Sequence, residues 1–302
     1  MGGRLTCPAC GGPLAAWRTV PASDPALPGS FALARCAACG TAVTLGPAPA
    51  DAHARGAYRA DAPRLARAAA PVLRRFDRRR LALLRPYLAP GGTVLDVGAG
   101  RGRFVAGAAA AGYEARGIEP RAAAMRVERA GWAEAHVQPG SLDAVCFWHV
   151  LEHLDDPGAA AQRAASWLRP GGVLLAGTPN LDSWQARVGA DRWYHLDVPR
   201  HRVHFTPRGL EALLRRAGLL PLATHHVLLE HNPYGLWQSV VSRWTTTPSW
   251  LYHALKHNAP LHSRDALVTA AALPLAPVAA AAELASGLVG HGGTIAVVAQ
   301  RA

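Results

Sequence analysis

The chain is short of acids. Its 302 residues hold 20 Asp and Glu against 32 Lys and Arg, a formal charge of +12. Such a balance points to anionic partners: phosphorylated intermediates, an acidic membrane surface or nucleic acid. Alanine, arginine and proline run high throughout, however, so compositional bias accounts for the charge equally well. No RNA- or DNA-binding signature accompanies it, and nucleic acid is not the expected partner. An apolar leader is also missing. The stretch "MGGRLTCPACGG" has no h-region, so no secretory signal is expected and a reducing cytoplasm is the expected compartment.

Cysteine is scarce, five in all, and four stand at the head. They form "CPAC" (Cys7 and Cys10) and "CAAC" (Cys36 and Cys39), each followed by a glycine, Gly11 and Gly40. Two such knuckles can bring four thiolates onto one tetrahedral Zn²⁺. Two disulfides would use the same even count but lack an oxidising setting. A redox dithiol explains the duplication poorly. Four thiolates leave no open coordination position, so the expected zinc is structural and folds a ribbon over residues 1–46 that is too small to hold itself. The fifth, Cys146, reads as core. Residues 47–74 read as a linker and lead-in helix. Helical apolar spacing runs over 64–88, with Pro71 expected to break it and the run Arg78–Arg80 expected on a solvated face.

What the next motif lacks narrows its ligand. "TVLDVGAGRGRF" (93–104) passes from an apolar strand into a loop with Gly98, Gly100 and Gly102. No Lys-Ser/Thr follows, which excludes a Walker loop. Arg103 stands where a dinucleotide fingerprint needs glycine. Asp96 at the strand's end would repel a pyrophosphate but favour an ammonium. The following strand, "YEARGIEP", ends in Glu119, placed to take a ribose diol. A nucleoside, a charged amino acid and no pyrophosphate describe S-adenosylmethionine.

The ordered set "LDVGAGRGRF…GIEP…LDAVCFWHVLEHLDDP…LRPGGVLLAGTPN" resembles the class I S-adenosylmethionine-dependent methyltransferases, closest to the branch with an L-E-H motif after the fourth strand. The cysteine head is similar to the zinc module attached to some of these enzymes. The resemblance implies an α/β fold: a doubly wound, Rossmann-like sheet of seven strands over residues 75–302. It implies that Asp96, Gly98, Ala99, Gly100 and Gly102 line the methionine end of the cofactor. Glu119 and Pro120 would meet the ribose, and Trp148 would complete the set. One departure stands out. The family's third strand ends in an acid near the adenine, but here "AHVQPGSLDAV" (135–145) compresses that region and offers only Gln138.

"HVLEHLDDP" leaves the carboxyl edge of the fourth strand, where ligands bind in open parallel sheets. His149 and His153 are therefore candidate catalytic bases, with Glu152 beside them. A bracing role for these residues is the alternative. "DRWYHLDVPRHRVHFTP" (191–207) adds His201 as a third candidate base. Trp193, Tyr194 and His204, with Asn180 at the end of the fifth strand, are candidate acceptor contacts. A second metal bound by His195, His201 and His204 has no regular ligand pattern to support it. Residues 233–291 interrupt the final strand pair and read as a helical lid. Its apolar run 266–290 is broken by Pro274, Pro277 and Glu283, so a helical hairpin that roofs the active site or touches the inner membrane surface is expected rather than a span. The expected activity is methylation of an oxygen or carbon on a small acceptor, a sugar, glycolipid or isoprenoid-linked intermediate. RNA methylation and an inactive cofactor-binding scaffold are the rivals.

Overall fold

A computed structural model describes residues 5–49, 51–56, 66–121, 124–259 and 263–302. Part of the expected linker, 57–63, and the first residues of the expected helix, 64–65, lie outside the described residues.

The cysteine module is a small antiparallel sheet of β1 (Leu14–Pro21), β2 (Ser30–Cys36) and β3 (Ala42–Thr44). Helix α1 (Ala66–Leu84) follows. It continues through Pro71, contrary to the expected break. Pro71 removes one helical hydrogen bond, that to the carbonyl four residues before it, and the helix runs on past it. Five strands then run parallel: β4 (Thr93–Val97), β5 (Glu114–Ile118), β6 (Val127–Glu128), β7 (Leu142–Trp148) and β8 (Leu168–Pro179). Helix α2 (Arg103–Ala110) joins β4 to β5, and α3 (Pro157–Trp167) joins β7 to β8. Asp156 caps α3, accepting from the Ala159 N–H at 2.8 Å, with Pro157 in the first turn.

The third strand is present, but earlier than the sequence suggests. It is the two-residue β6, not a segment near Val137, and Glu128 stands at its end. Among the described residues no helix connects β5 to β6, so the usual crossover is cut to a short loop. Two residues carry no readable periodicity, which hid the strand.

After β8 come α4 (Trp184–Gly189), β9 (Val203–His204), α5 (Pro207–Arg216) and β10 (Leu219–His225). The insertion is helical as expected: α6 (Asn232–Val241), α7 (Trp250–Leu255), α8 (Ser263–Ala272) and α9 (Ala276–Leu288). Strand β11 (Thr294–Arg301) closes the large sheet, antiparallel to both β8 and β10. The sheet order is β10-β11-β8-β7-β4-β5-β6. Its central strands are buried on both faces. Leu95, Val145, Phe147 and Leu174 face one core; Val94, Ala144, Cys146 and Leu175 face the other.

Strand β9 adds to the ribbon's sheet as a fourth strand beside β3. Cys7, Cys36 and Cys39 also share one core with Leu95 and Phe147. The run 266–290 is not a hairpin. A 3₁₀ turn over Leu273–Leu275 carries α8 into α9, giving one helical stretch, Arg264–Leu288, long and apolar enough to cross a membrane. Glu283 ties it inward. Its buried carboxylate accepts from the Gly293 N–H and the Gln185 side-chain amide, each at 2.7 Å.

Candidate functional site

The glycine loop leaves β4 with Gly98, Gly100 and Gly102 all in the left-handed region, at φ +74, +53 and +73. Only glycine takes this conformation without strain. A Cβ at Gly98 would strike Val150, and one at Gly102 would strike Val127. Around Gly100 nothing lies within 4 Å of such an atom. Its backbone is thus open to a ligand. The N–H groups of Gly98 and Ala99 both donate to the Ile118 carbonyl, clamping the loop to β5. Glu119 closes the cradle: one carboxylate oxygen accepts from the Gly100 N–H at 3.1 Å and the other from the Arg121 N–H at 3.3 Å. A carboxylate has about four acceptor positions, so it retains capacity for a diol. Pro120 follows at the rim.

Asp96 is not an open carboxylate. It is 2% exposed and forms an ion pair with Arg80 of α1, itself 7% exposed. Arg80 also lies over the Phe104 ring at 3.8 Å. The expected solvated face therefore holds for Arg78 and Arg79 but not for Arg80, which is drawn inward by the buried charge of Asp96. Trp148 lies on the same side. Its indole N–H donates to Glu230 at 2.9 Å, and it lines an apolar cavity with Phe76, Leu83 and Leu228.

A second cavity, about 370 Å³, is lined by His149, His153, His195, His201, His231 and His253. The remaining wall comes from distant segments. Tyr194 and Asp197 belong to the loop before β9, Ser23 to the β1–β2 turn of the ribbon, and Ser249, Tyr252 and Lys256 to the lid. Sequence reasoning missed Ser23, His253 and Lys256, since no local motif joins segments so far apart.

His149 sits immediately after β7 with φ +56, an unusual value for a residue with a side chain. Its Nδ1 lies 3.1 Å from Glu152 Oε1. Burial works against charge on this ring, but the hydrogen bond and charge of Glu152 outweigh it, and its pKa is raised. The other five move the opposite way, His231 and His253 included. Burial, reinforced by neighbouring histidines, holds His153, His195 and His201 well below the ordinary range. His201 Nδ1 is 2.9 Å from the His195 carbonyl, and its ring meets that of His153 at 4.6 Å. Burial also raises Tyr194, so its hydroxyl stays protonated.

Three candidate acceptor contacts lie elsewhere. His204 faces the ribbon, 3.0 Å from Thr44 Oγ1, and burial followed by the charges of Arg18 and Arg202 lowers it to about 3. It is held by β9 pairing with β3, which turns it away from the cavity. Trp193 is buried among Val20, Leu33 and Leu196. Asn180 braces the end of β8, donating to the Gly292 carbonyl and accepting from the Asp182 N–H, both at 2.9 Å. Of the acceptor contacts expected, Tyr194 alone lines the histidine cavity. The expected linker is also engaged: Arg200, paired with Asp24 of the ribbon, donates to the carbonyls of Ala52 and Arg55.

The four thiols converge. Cys7 and Cys39 sulfurs are 3.6 Å apart and those of Cys10 and Cys36 3.5 Å. A tetrahedron with metal–sulfur bonds of about 2.3 Å has edges of about 3.8 Å, so the set fits one ion. The two knuckles match: Gly11 donates to Cys7 and Gly40 to Cys36, both glycines at φ +78.

The family described as "Methyltransferase domain" matches residues 65–223, just over half of the chain. A ubiquinone biosynthesis O-methyltransferase from Xanthomonas campestris pv. campestris is 34% identical over 152 residues, covering 43% of this chain and 63% of its own. One from Ralstonia nicotianae is 31% identical over 166 residues, covering 47% and 68%. This chain thus spans under two thirds of the length of the first of these relatives. Among solved structures, a SAM-dependent methyltransferase from Archaeoglobus fulgidus is similar at 18% identity and a TM-score of 0.49, covering 76% of this chain and 94% of that one. With the family match spanning the glycine loop, Glu119 and the L-E-H turn, the chain belongs to the methyltransferase-domain family.

Proposed function

We propose that this chain transfers a methyl group from S-adenosylmethionine to a hydroxyl oxygen of a small molecule held in the histidine cavity. The observation that carries this reading is the placement of the open cradle at Gly100 and Glu119 and the histidine cavity at one edge of one sheet. The cavity volume suits a small ligand. Likeness to O-methyltransferases favours oxygen over carbon as the atom methylated.

When bound, S-adenosylmethionine supplies an electrophilic methyl on a sulfonium. Glu119 would hold its ribose hydroxyls, and the bare backbone at Gly100 lets the ligand approach. Glu128 stands at the end of β6, where the family's third-strand acid is expected. Methyl transfer forms an oxygen–carbon bond as the sulfur–carbon bond breaks, and the hydroxyl proton must go to a base. His149 is the base we assign. Its Nδ1 is engaged by Glu152, which orients the ring and stabilises the charge gained; Nε2 takes the proton. His153 and His201, held neutral by burial, are weaker bases. The four cysteines would hold one structural zinc.

Incubation with S-adenosylmethionine and small-molecule extracts, followed by mass spectrometry, tests the reading. Products heavier by one methyl, lost in Glu119→Ala, are expected. Cofactor binding without any product would favour a scaffold, and methylated RNA in place of small products would favour the nucleic-acid reading.

We also propose that the helical stretch of the lid lies on an anionic lipid surface. Leu267, Leu273, Leu275, Val278 and Leu288 are exposed along it, while Asp265 and Glu283 are buried. Flotation of the full chain with anionic vesicles is expected. Recovery only in the soluble fraction would remove this contact.

A further inference from the structure

We propose that the acceptor is an anion, a small hydroxylated carboxylate or phosphate, whose acidic group is held by Lys256 of the lid. This rests on the reading that the histidine cavity holds the acceptor, and it names the acceptor's chemical class.

Lys256 is the only lysine in the 302 residues; the remaining Lys and Arg positions are all arginine. It follows α7 directly and lines the cavity. A cation at a helix end is favourable, but arginine serves that purpose in this chain, as Arg215 and Arg216 do in the last turn of α5. What an ammonium offers over a guanidinium is a compact charge with three rotatable donors on a flexible stem. Such a group can follow an anionic oxygen in a confined wall, where a planar fork cannot.

The ammonium has no counter-ion here. Among the described residues it forms no ion pair and no side-chain hydrogen bond, and its Nζ lies 5.8 Å from the centre of the Tyr252 ring. Asp197 is the one acid in the cavity wall among the described residues, and it is already engaged. It accepts from Arg200 at 3.0 Å, and its other oxygen stands 3.9 Å from His201 Nε2. Burial, followed by the charge of Arg101 on the glycine loop, lowers Lys256 below its ordinary range. An anion entering the cavity relieves both effects.

Neutral donors complete the setting. Burial raises Tyr194 and Tyr252, so both hydroxyls keep their protons and can donate to an anionic oxygen. The site also lies close to the assigned base. Burial lowers His231 with Lys256 among the contributing charges, and the His231 ring stands 6.3 Å from that of His149. One small molecule can therefore place its acidic group at Lys256 and its hydroxyl at His149.

A single lysine lets the test read one group. Full chain grown on lysine isotope-labelled at Cε gives one side-chain resonance, whose pH titration reports Lys256 alone. The chain, saturated with S-adenosylhomocysteine, is titrated with acetate and with inorganic phosphate, against chloride at equal ionic strength. At least one anion is expected to raise the Lys256 pKa by about 1 pH unit or more, and the stronger effect separates carboxylate from phosphate. Calorimetric binding of that anion should weaken by about tenfold or more in Lys256→Met and be partly kept in Lys256→Arg. A Lys256 titration unmoved by both anions would overturn the proposal, and so would undiminished anion binding in Lys256→Met. Should S-adenosylhomocysteine raise the Lys256 pKa where methylthioadenosine, which lacks the amino acid, does not, and neither anion move it further, the lysine belongs to the methyl donor's carboxylate and the proposal falls. Anion capture at Lys256 without methylated product from any extract would sink the proposed activity and leave this site standing.

Discussion

The pairing of His149 with Glu152 can be tested on the imidazole itself, before the acceptor is known. A hydrogen bond to a charged group contributes about 1.5–3 kcal/mol. At 1.36 kcal/mol per pH unit, that is about 1–2 units of pKa. In the native protein this support outweighs burial and raises His149 above the ordinary 6.5. Glu152→Gln removes the charge but keeps the size, leaving burial to act alone. The titration of His149 should then fall by about 1–2 pH units, to below 6.5. Long-range proton–nitrogen NMR of the labelled chain follows this directly, with His149→Gln identifying the resonance. The same shift should appear in the rate once an acceptor is in hand. A base must be neutral, so turnover is lost as pH falls through the His149 pKa, and the loss begins at lower pH in Glu152→Gln. A native His149 titrating at or below 6.5, or an unmoved midpoint in the variant, would refute the assignment. Mere bracing by Glu152 would change the melting temperature and leave the titration where it was.

Glu119→Ala should weaken S-adenosylmethionine binding by roughly ten- to a hundred-fold, the loss of one or more charge-assisted bonds worth about 1.5–3 kcal/mol. Gly100→Ala should also weaken it, with a backbone cost of about 1–2 kcal/mol, because the methyl enters space that is open in the protein; unchanged calorimetric affinity in both would remove the cradle. Asp96→Ala strands the buried Arg80 guanidinium and should lower stability by about 3–5 kcal/mol, seen as a reduced denaturant midpoint; Arg80→Met with Asp96→Leu should recover most of it. Cys36→Ser should release zinc and abolish turnover while the cofactor still binds, since the ribbon supplies Ser23 to the cavity and holds Thr206, which caps α5 and donates to the Cys39 carbonyl at 2.6 Å; zinc-free protein with full activity would falsify this coupling. His153, His195, His201 and His204 have depressed native pKa values, so between those values and about 6.5 the unfolded chain binds more protons. Stability should therefore fall as pH drops below about 6.5, by up to about 1.4 kcal/mol per unit for each; a flat denaturant midpoint from pH 7 to 5 would contradict it.

The cofactor half was legible because its chemistry is local. The strand, the three glycines, Asp96 and Glu119 fall within 27 residues, and each does its work through its own backbone or the next strand. The helix caps Asp156 and Thr206 are local in the same way, each side chain accepting from an N–H three residues on. The partner of Asp96 was not. Arginine is so frequent here that Arg80 looked like its neighbours Arg78 and Arg79, and only the fold separates the buried one from the exposed pair. The third strand was missed because no helix leads into it among the described residues and two residues cannot alternate visibly.

The acceptor half depends on contacts that no motif joins. The loop before β9 meets the ribbon through β3–β9 pairing, through Arg200 with Asp24, and through Thr206 with Cys39. The ribbon then reaches the cavity with Ser23, and the lid closes it with Tyr252, His253 and Lys256. These segments lie far apart in sequence, so a reading by motif divides the chain into a zinc module, a catalytic domain and a lid. The physical unit is different. Each of the three supplies wall to one cavity, and the buried Asp24–Arg200 pair joins ribbon and loop. Under the proposed function, a cysteine ribbon placed this way would act on an acceptor through the position of His201, without touching the methyl donor. That is why loss of zinc should separate cofactor binding from turnover, where a freely tethered module would change neither.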